Sequence, residues 1–157
     1  MEITGKPTIH PVLFAAGKSA GYFTWLALTD AVTGLTGIFQ PPQGSLAIAS
    51  YFTLIIGTAI IFISSFNLGR SIRIGLPTED TVLQTGGIYR FSRNPMYLGL
   101  HLVTVAAILF TQKWWVALPG LFSIYVYHLI ILGEEKFLES RFGQDYIRYK
   151  QKTARYI

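Results

Sequence analysis

The sequence predicts an all-α integral membrane protein of about four transmembrane helices, with a polar cytoplasmic loop and a C-terminal amphipathic helical extension. Three observations predict it. Hydrophobic residues make up 51% of the 157 residues and charged residues only 13%, and mean hydropathy is +0.42, a balance found in membrane rather than soluble chains. The apolar residues fall in runs near 11–31, 45–66, 95–111 and 114–132, each close to the roughly 20 residues that cross about 30 Å of hydrocarbon. The basic residues collect in alternate connections. With both termini on one side, that side carries Lys6, Arg70, Arg73, Arg90, Arg93, Lys136, Arg141, Arg148, Lys150, Lys152 and Arg155, against Lys113 on the other; the positive-inside rule then places both termini in the cytoplasm.

The first run lacks the basic stretch and small-residue cleavage site of a signal peptide, so it is expected to remain as a helix. It is rich in Gly, Ala and Thr and holds Lys18, which suits packing against other helices, with Lys18 snorkelling or paired. Gly34 to Gly44, with Pro41-Pro42, forms an outer turn before the second run, so residues 1–66 read as an N-terminal helical hairpin and 67–157 as the half that carries chemistry, within one membrane domain. Residues 67–94 form the long inner loop, broken by Gly69, Gly75, Pro77 and Gly86-Gly87; a loop of that length is usually functional. Only Gln112-Lys113 separates the third and fourth runs, which forces an antiparallel hairpin and leaves Trp114 and Trp115 as an interfacial aromatic belt. Beyond Leu132, Glu135, Phe137, Leu138, Phe142, Tyr146 and Tyr149 keep roughly helical spacing, an amphipathic extension bent near Gly143.

Several function classes are excluded or disfavoured. There is no cysteine, which removes disulfides, thiolate catalysis and thiolate metal sites; no metal site is expected. The net charge of +5 is explained by topology, so no nucleic-acid partner is expected. The oligomeric state is open.

Chemistry concentrates at one end of the third and fourth runs. Asn94 reads as a helix N-cap and Pro95 as the first helical residue, so free backbone N–H groups beside Arg93 would attract an anion. Asn94, Tyr97 and His101 share one helical face, and Tyr125, His128, Leu132 and Glu135 share another. Both stripes approach the same membrane boundary. Glu134 and Glu135 sit at a helix C-terminal end, where negative charge opposes the macrodipole and calls for another partner. Gly99 leaves room for a flanking chain or for a close helix contact.

The pattern Gly87-Ile88-Tyr89, Arg93-Asn94-Pro95-Met96-Tyr97-Leu98-Gly99, then Glu134-Glu135 with Leu138, Phe142-Gly143, Tyr146 and Tyr149, resembles the isoprenylcysteine carboxyl methyltransferase family and the related phospholipid methyltransferases. The resemblance spans roughly residues 66–155. It implies an S-adenosylmethionine-dependent methyltransferase, with the cofactor at the cytoplasmic end of the bundle and a lipophilic acceptor arriving through the lipid bilayer. On that reading Tyr89, Arg93, Pro95, Tyr97, His101, Glu134, Glu135, Tyr146 and Tyr149 hold the cofactor. Arg93, Asn94, Tyr97 and His128 carry catalysis. Arg93 suits a carboxylate, Glu134 or Glu135 suits ribose hydroxyls or an ammonium, and tyrosine faces suit a sulfonium. Eukaryotic prenylcysteine enzymes have His where Asn94 stands and arginine near His128, so the Arg-Asn-Pro form is closer to prokaryotic relatives and implies a prokaryotic inner membrane. An amine or hydroxyl acceptor would need a base, for which His128 is the candidate. The alternatives are a phospholipid N-methyltransferase-like enzyme, a sterol-reductase-like enzyme using NADPH, and a non-catalytic lipid-binding membrane protein.

Overall fold

The computed structural model describes residues 8–68 and 82–157; Lys6, Arg70, Arg73, Gly69, Gly75 and Pro77 lie outside them. Among the described residues every regular element is helical: α1 (Pro11–Thr33), α2 (Gly44–Leu68), a 3-10 turn (Gly87–Arg90), α3 (Pro95–Thr111), α4 (Trp114–Phe142) and α5 (Gln144–Lys152). Each apolar run is one helix. α3 starts at Pro95, whose fixed φ suits the first helical position, and ends at Gln112, which turns the chain in the left-handed region at φ 51°. α4 does not stop with its apolar residues at Leu132. Nothing beyond them breaks a helix until Gly143, at φ 51°, so the amphipathic extension continues α4 and α5 follows the bend.

The helices differ in how well they suit a bilayer. α2 and α4 are long and apolar enough to cross one by length and composition. α3, with 17 residues, reaches about 25 Å at 1.5 Å per residue, and α1 is diluted by Lys18, Asp30 and its threonines. The four full spans expected from the sequence therefore reduce to two helices that meet the requirement unaided. α2 presents Ile48, Phe52, Ile55, Phe62 and Phe66 outward. An apolar face of that kind belongs against lipid or a partner rather than water.

α3 is the hub of the bundle, in contact with α1, α2 and α4, while α1 packs mainly along α4 and α2 mainly along α3. The two N-terminal helices thus each pack mainly against the C-terminal half. Glycines set the closest crossings. A Cβ on Gly99 would lie 2.6 Å from Ile61 Cγ1 and 2.8 Å from the Gly57 carbonyl oxygen, so Gly99 serves the α2–α3 contact and offers no space for a substrate chain. Gly17 meets Val126 in the same way, its Cβ position only 2.3 Å from Cγ1, which brings α1 against α4. Trp25 Nε1 donates to Thr104 Oγ1 at 3.0 Å, pinning α1 to α3. Of the expected aromatic belt, Trp114 is exposed, whereas Trp115 packs on Phe23 and Phe39 and ties the α3–α4 turn to α1.

Candidate active site

The approach to α3 is held by the C-terminal tail. Arg93 N donates to the Ala154 carbonyl at 2.9 Å, Ser92 Oγ to the Arg155 carbonyl at 3.1 Å, and Arg93 Nη1 to the carbonyls of Lys150 and Thr153. Tyr149 Oη donates to the Tyr89 carbonyl, joining α5 to the 3-10 turn. Residues 153–156 are thereby strapped across the start of α3.

Asn94 occupies the N-cap position, but its side chain makes no cap. Its Nδ2 instead donates to Glu135 Oε1 at 3.1 Å and to the Arg155 carbonyl at 3.3 Å. The N-cap expectation holds for position and fails for chemistry, because a buried carboxylate is a stronger acceptor than the helix needs a cap.

That carboxylate is the centre of a charge knot. Glu135 Oε1 accepts from Arg93 Nε at 3.2 Å and Nη2 at 3.0 Å, and Arg155 donates from Nε and Nη2 to Oε2 at 3.1 and 2.9 Å. The Arg93 and Glu135 side chains are only 7% and 5% exposed. The partner that Glu135 needs at the negative end of α4 is therefore arginine from two other segments, and the carboxylate held by Arg93 is this one. Tyr146 is buried beside the same guanidinium; burial pushes its hydroxyl up to about 12. Tyr89, buried in the 3-10 turn, is likewise pushed up by burial to about 12.

Glu134, one residue earlier, is in a different situation. No arginine among the described residues reaches it, and its one hydrogen bond from a described residue is Tyr97 Oη at 2.8 Å. The charge of Lys18, on α1, also acts on it. The Tyr97 ring lies 5.8 Å from that of Tyr127, which stacks on Trp25 at 6.4 Å. Three helices thus bring together a carboxylate, the tyrosine hydroxyl that donates to it and two further rings, groups of the kind that attract a cation. Of the two candidate acids, Glu134 is the one without an arginine partner among the described residues.

His101 and His128 face one another across α3 and α4, with Tyr156 between them. Tyr156 Oη is 2.7 Å from His128 Nδ1, and its ring centroid lies 5.7 Å from that of His101 and 6.0 Å from that of His128. His101 Nε2 is buried with no hydrogen-bond partner among the described residues. Pro95 is buried at the start of α3 and offers no polar group. Among the described residues no cluster of His, Asp and Glu could hold a metal. Sequence reading missed Arg155, Tyr156 and the carbonyls of residues 150–155, because their role comes from tail placement and leaves no local pattern.

Comparison with known proteins adds the family. A model of the family described as phospholipid methyltransferase matches residues 45–145, from the start of α2 into α5. The chain belongs to the phospholipid methyltransferase family. It is in that family of membrane methyltransferases, which includes the isoprenylcysteine carboxyl methyltransferases, that the Arg93–Gly99 and Glu134-Glu135 motifs have their place. An uncharacterized protein of Haemophilus influenzae is 38% identical over 64 residues, covering 40% of this chain and 100% of that relative. No solved structure matches. Membership of the family, together with two helices of membrane-crossing length, marks the protein as a membrane methyltransferase. Tyr149, Arg155 and Tyr156 lie beyond the matched span.

Proposed function

We propose that this membrane methyltransferase uses S-adenosylmethionine to methylate a lipophilic acceptor that reaches the site from the bilayer. All four long helices traverse the membrane in this reading, with both termini cytoplasmic, as the distribution of Lys and Arg supports. The observation that carries the proposal is Glu134, a carboxylate without an arginine partner among the described residues, bonded to Tyr97, whose ring begins the Tyr97–Tyr127–Trp25 aromatic series. These groups fit a sulfonium or an ammonium: the rings present negative faces and the carboxylate supplies the charge. When bound, S-adenosylmethionine supplies an electrophilic methyl group. The chain's own residues then position and exclude water, which suffices for an in-line displacement. Tyr97 orients Glu134, Tyr89 and Tyr127 extend the aromatic surface, and the tail strap closes the end of α3.

The acceptor is better read as an amine-bearing lipid than as a prenylcysteine carboxylate. Arg93, which would bind a substrate carboxylate, is committed to Glu135 and to tail carbonyls, whereas an amine suits Glu134. An amine must lose a proton, and His128 can accept it at the ring nitrogen that Tyr156 does not hold. Calorimetry of the detergent-solubilised protein with S-adenosylmethionine, S-adenosylhomocysteine and NADPH tests the reading. Binding of the two S-adenosyl compounds is expected; binding of NADPH in their place would mean a reductase, and binding of none a non-catalytic protein.

A further inference from the structure

A basic cleft opens at the end of the bundle where α2 stops and α3 starts. Its volume is about 520 Å³, and Thr85, Arg90, Arg148, Tyr149, Lys152 and Thr153 line it. Its walls are fixed to each other: Tyr149 Oη donates to the Tyr89 carbonyl at 2.5 Å and Thr153 Oγ1 to the Arg90 carbonyl at 3.5 Å. Arg148 is paired with Asp145. Arg90 and Lys152 carry no side-chain hydrogen bond or ion pair to any other described residue, so two full positive charges meet in a preformed hollow without a counter-charge among the described residues.

The surroundings of the cleft are apolar. Phe91, next to Arg90, is 76% exposed, and Phe66, in the last turn of α2, is 82% exposed. Gln84 Nε2 donates to the Asn67 carbonyl at 3.0 Å, which fastens the segment entering the cleft to that last turn. The outward face of α2, through Phe62 and Phe66, leads to the same level. A cationic hollow at the edge of an exposed apolar face matches an amphiphile with an anionic head and hydrocarbon tails. A water-soluble anion would use the charges and leave the phenylalanines unexplained.

We propose that this cleft binds the phosphate-bearing headgroup of an acidic membrane lipid, with its acyl chains along the outward face of α2, at a place separate from the Glu134–Tyr97 pair. Native mass spectrometry of the purified full-length protein, offered dioleoylphosphatidylglycerol and dioleoylphosphatidylcholine in equal amounts, tests it. The unaltered protein should retain phosphatidylglycerol preferentially. The Arg90→Gln/Lys152→Gln double variant should lose that preference by about fivefold per cation removed, while its helical circular dichroism and its response to S-adenosylhomocysteine stay those of the parent, and Arg90→Lys/Lys152→Arg should restore the preference. Equal retention of both lipids by the parent, or an unchanged preference in the double variant, would overturn the proposal. So would full displacement of lipid by millimolar inorganic phosphate, which would indicate a free-phosphate site, or loss of S-adenosylhomocysteine binding in the folded double variant, which would make the cleft part of the cofactor pocket. The lipid preference is read whether or not the protein binds S-adenosyl compounds, so its failure is distinct from failure of the methyltransferase reading.

Discussion

Replacing Glu135 by Gln keeps the size of the side chain and removes its charge, and the structure sets the cost. Arg93, with a side chain 7% exposed, would be left without the carboxylate that accepts from its Nε and Nη2. Breaking a buried pair by removing one partner costs about 3–5 kcal/mol. Removing Arg155, whose side chain is 33% exposed, leaves Arg93 and Asn94 on Glu135, and partly exposed pairs are worth about 0–1 kcal/mol. Against a typical total stability of about 5–15 kcal/mol, Glu135→Gln should be severe and Arg155→Ala mild. Thermal unfolding in detergent, followed by tryptophan fluorescence for both variants and their combination, reads the difference. The double variant should unfold no earlier than Glu135→Gln alone, because Arg155 would then have lost its partner. Equal and small shifts for the two single variants would refute the buried-knot account.

Gly99→Leu should lower stability by at least the roughly 1–3 kcal/mol of overpacking, since the new side chain meets the α2 backbone at Gly57 and Ile61; the thermal midpoint checks this, and an unchanged midpoint would mean the helices are not so close. Tyr97→Phe should cost only about 1 kcal/mol of stability yet reduce S-adenosyl ligand binding about tenfold or more if Glu134 must be oriented, as titration calorimetry would show. Tyr89 and Tyr146 have hydroxyls raised by burial to about 12, above the ordinary value near 10. A raised tyrosine favours the folded state while neutral, so stability from this source should be complete below pH 10 and be lost as pH rises toward 12; a thermal midpoint flat across that interval would contradict the burial of both.

Much of the bundle was legible because long apolar runs and the Gln112-Lys113 turn leave few alternatives, and Pro95 and Gly143 mark helix ends by backbone constraint. Helix partnerships were not, since the Gly17–Val126 and Gly57–Gly99 contacts depend on which faces meet. The motif residues Arg93, Tyr97, Glu134 and Glu135 were found from sequence, and the structure brings them to one end of the bundle. What sequence could not separate was the two adjacent glutamates. Glu135 points to Arg93 and Arg155 and Glu134 to Tyr97 because successive residues on a helix diverge by about 100°, and which direction holds arginine is settled by a tail far away in the chain.

The central claim is methyl transfer to a lipid beside the Glu134–Tyr97 pair. Purified protein incubated with S-adenosylmethionine carrying a radiolabelled methyl group and with bacterial membrane lipids, then extracted into organic solvent, tests it most directly. The account predicts label in an amine-bearing lipid fraction, dependent on protein and strongly reduced in Glu134→Gln, a variant that keeps the shape of the side chain and leaves the Glu135 knot intact. Full labelling by Glu134→Gln, or label confined to water-soluble products, would contradict it.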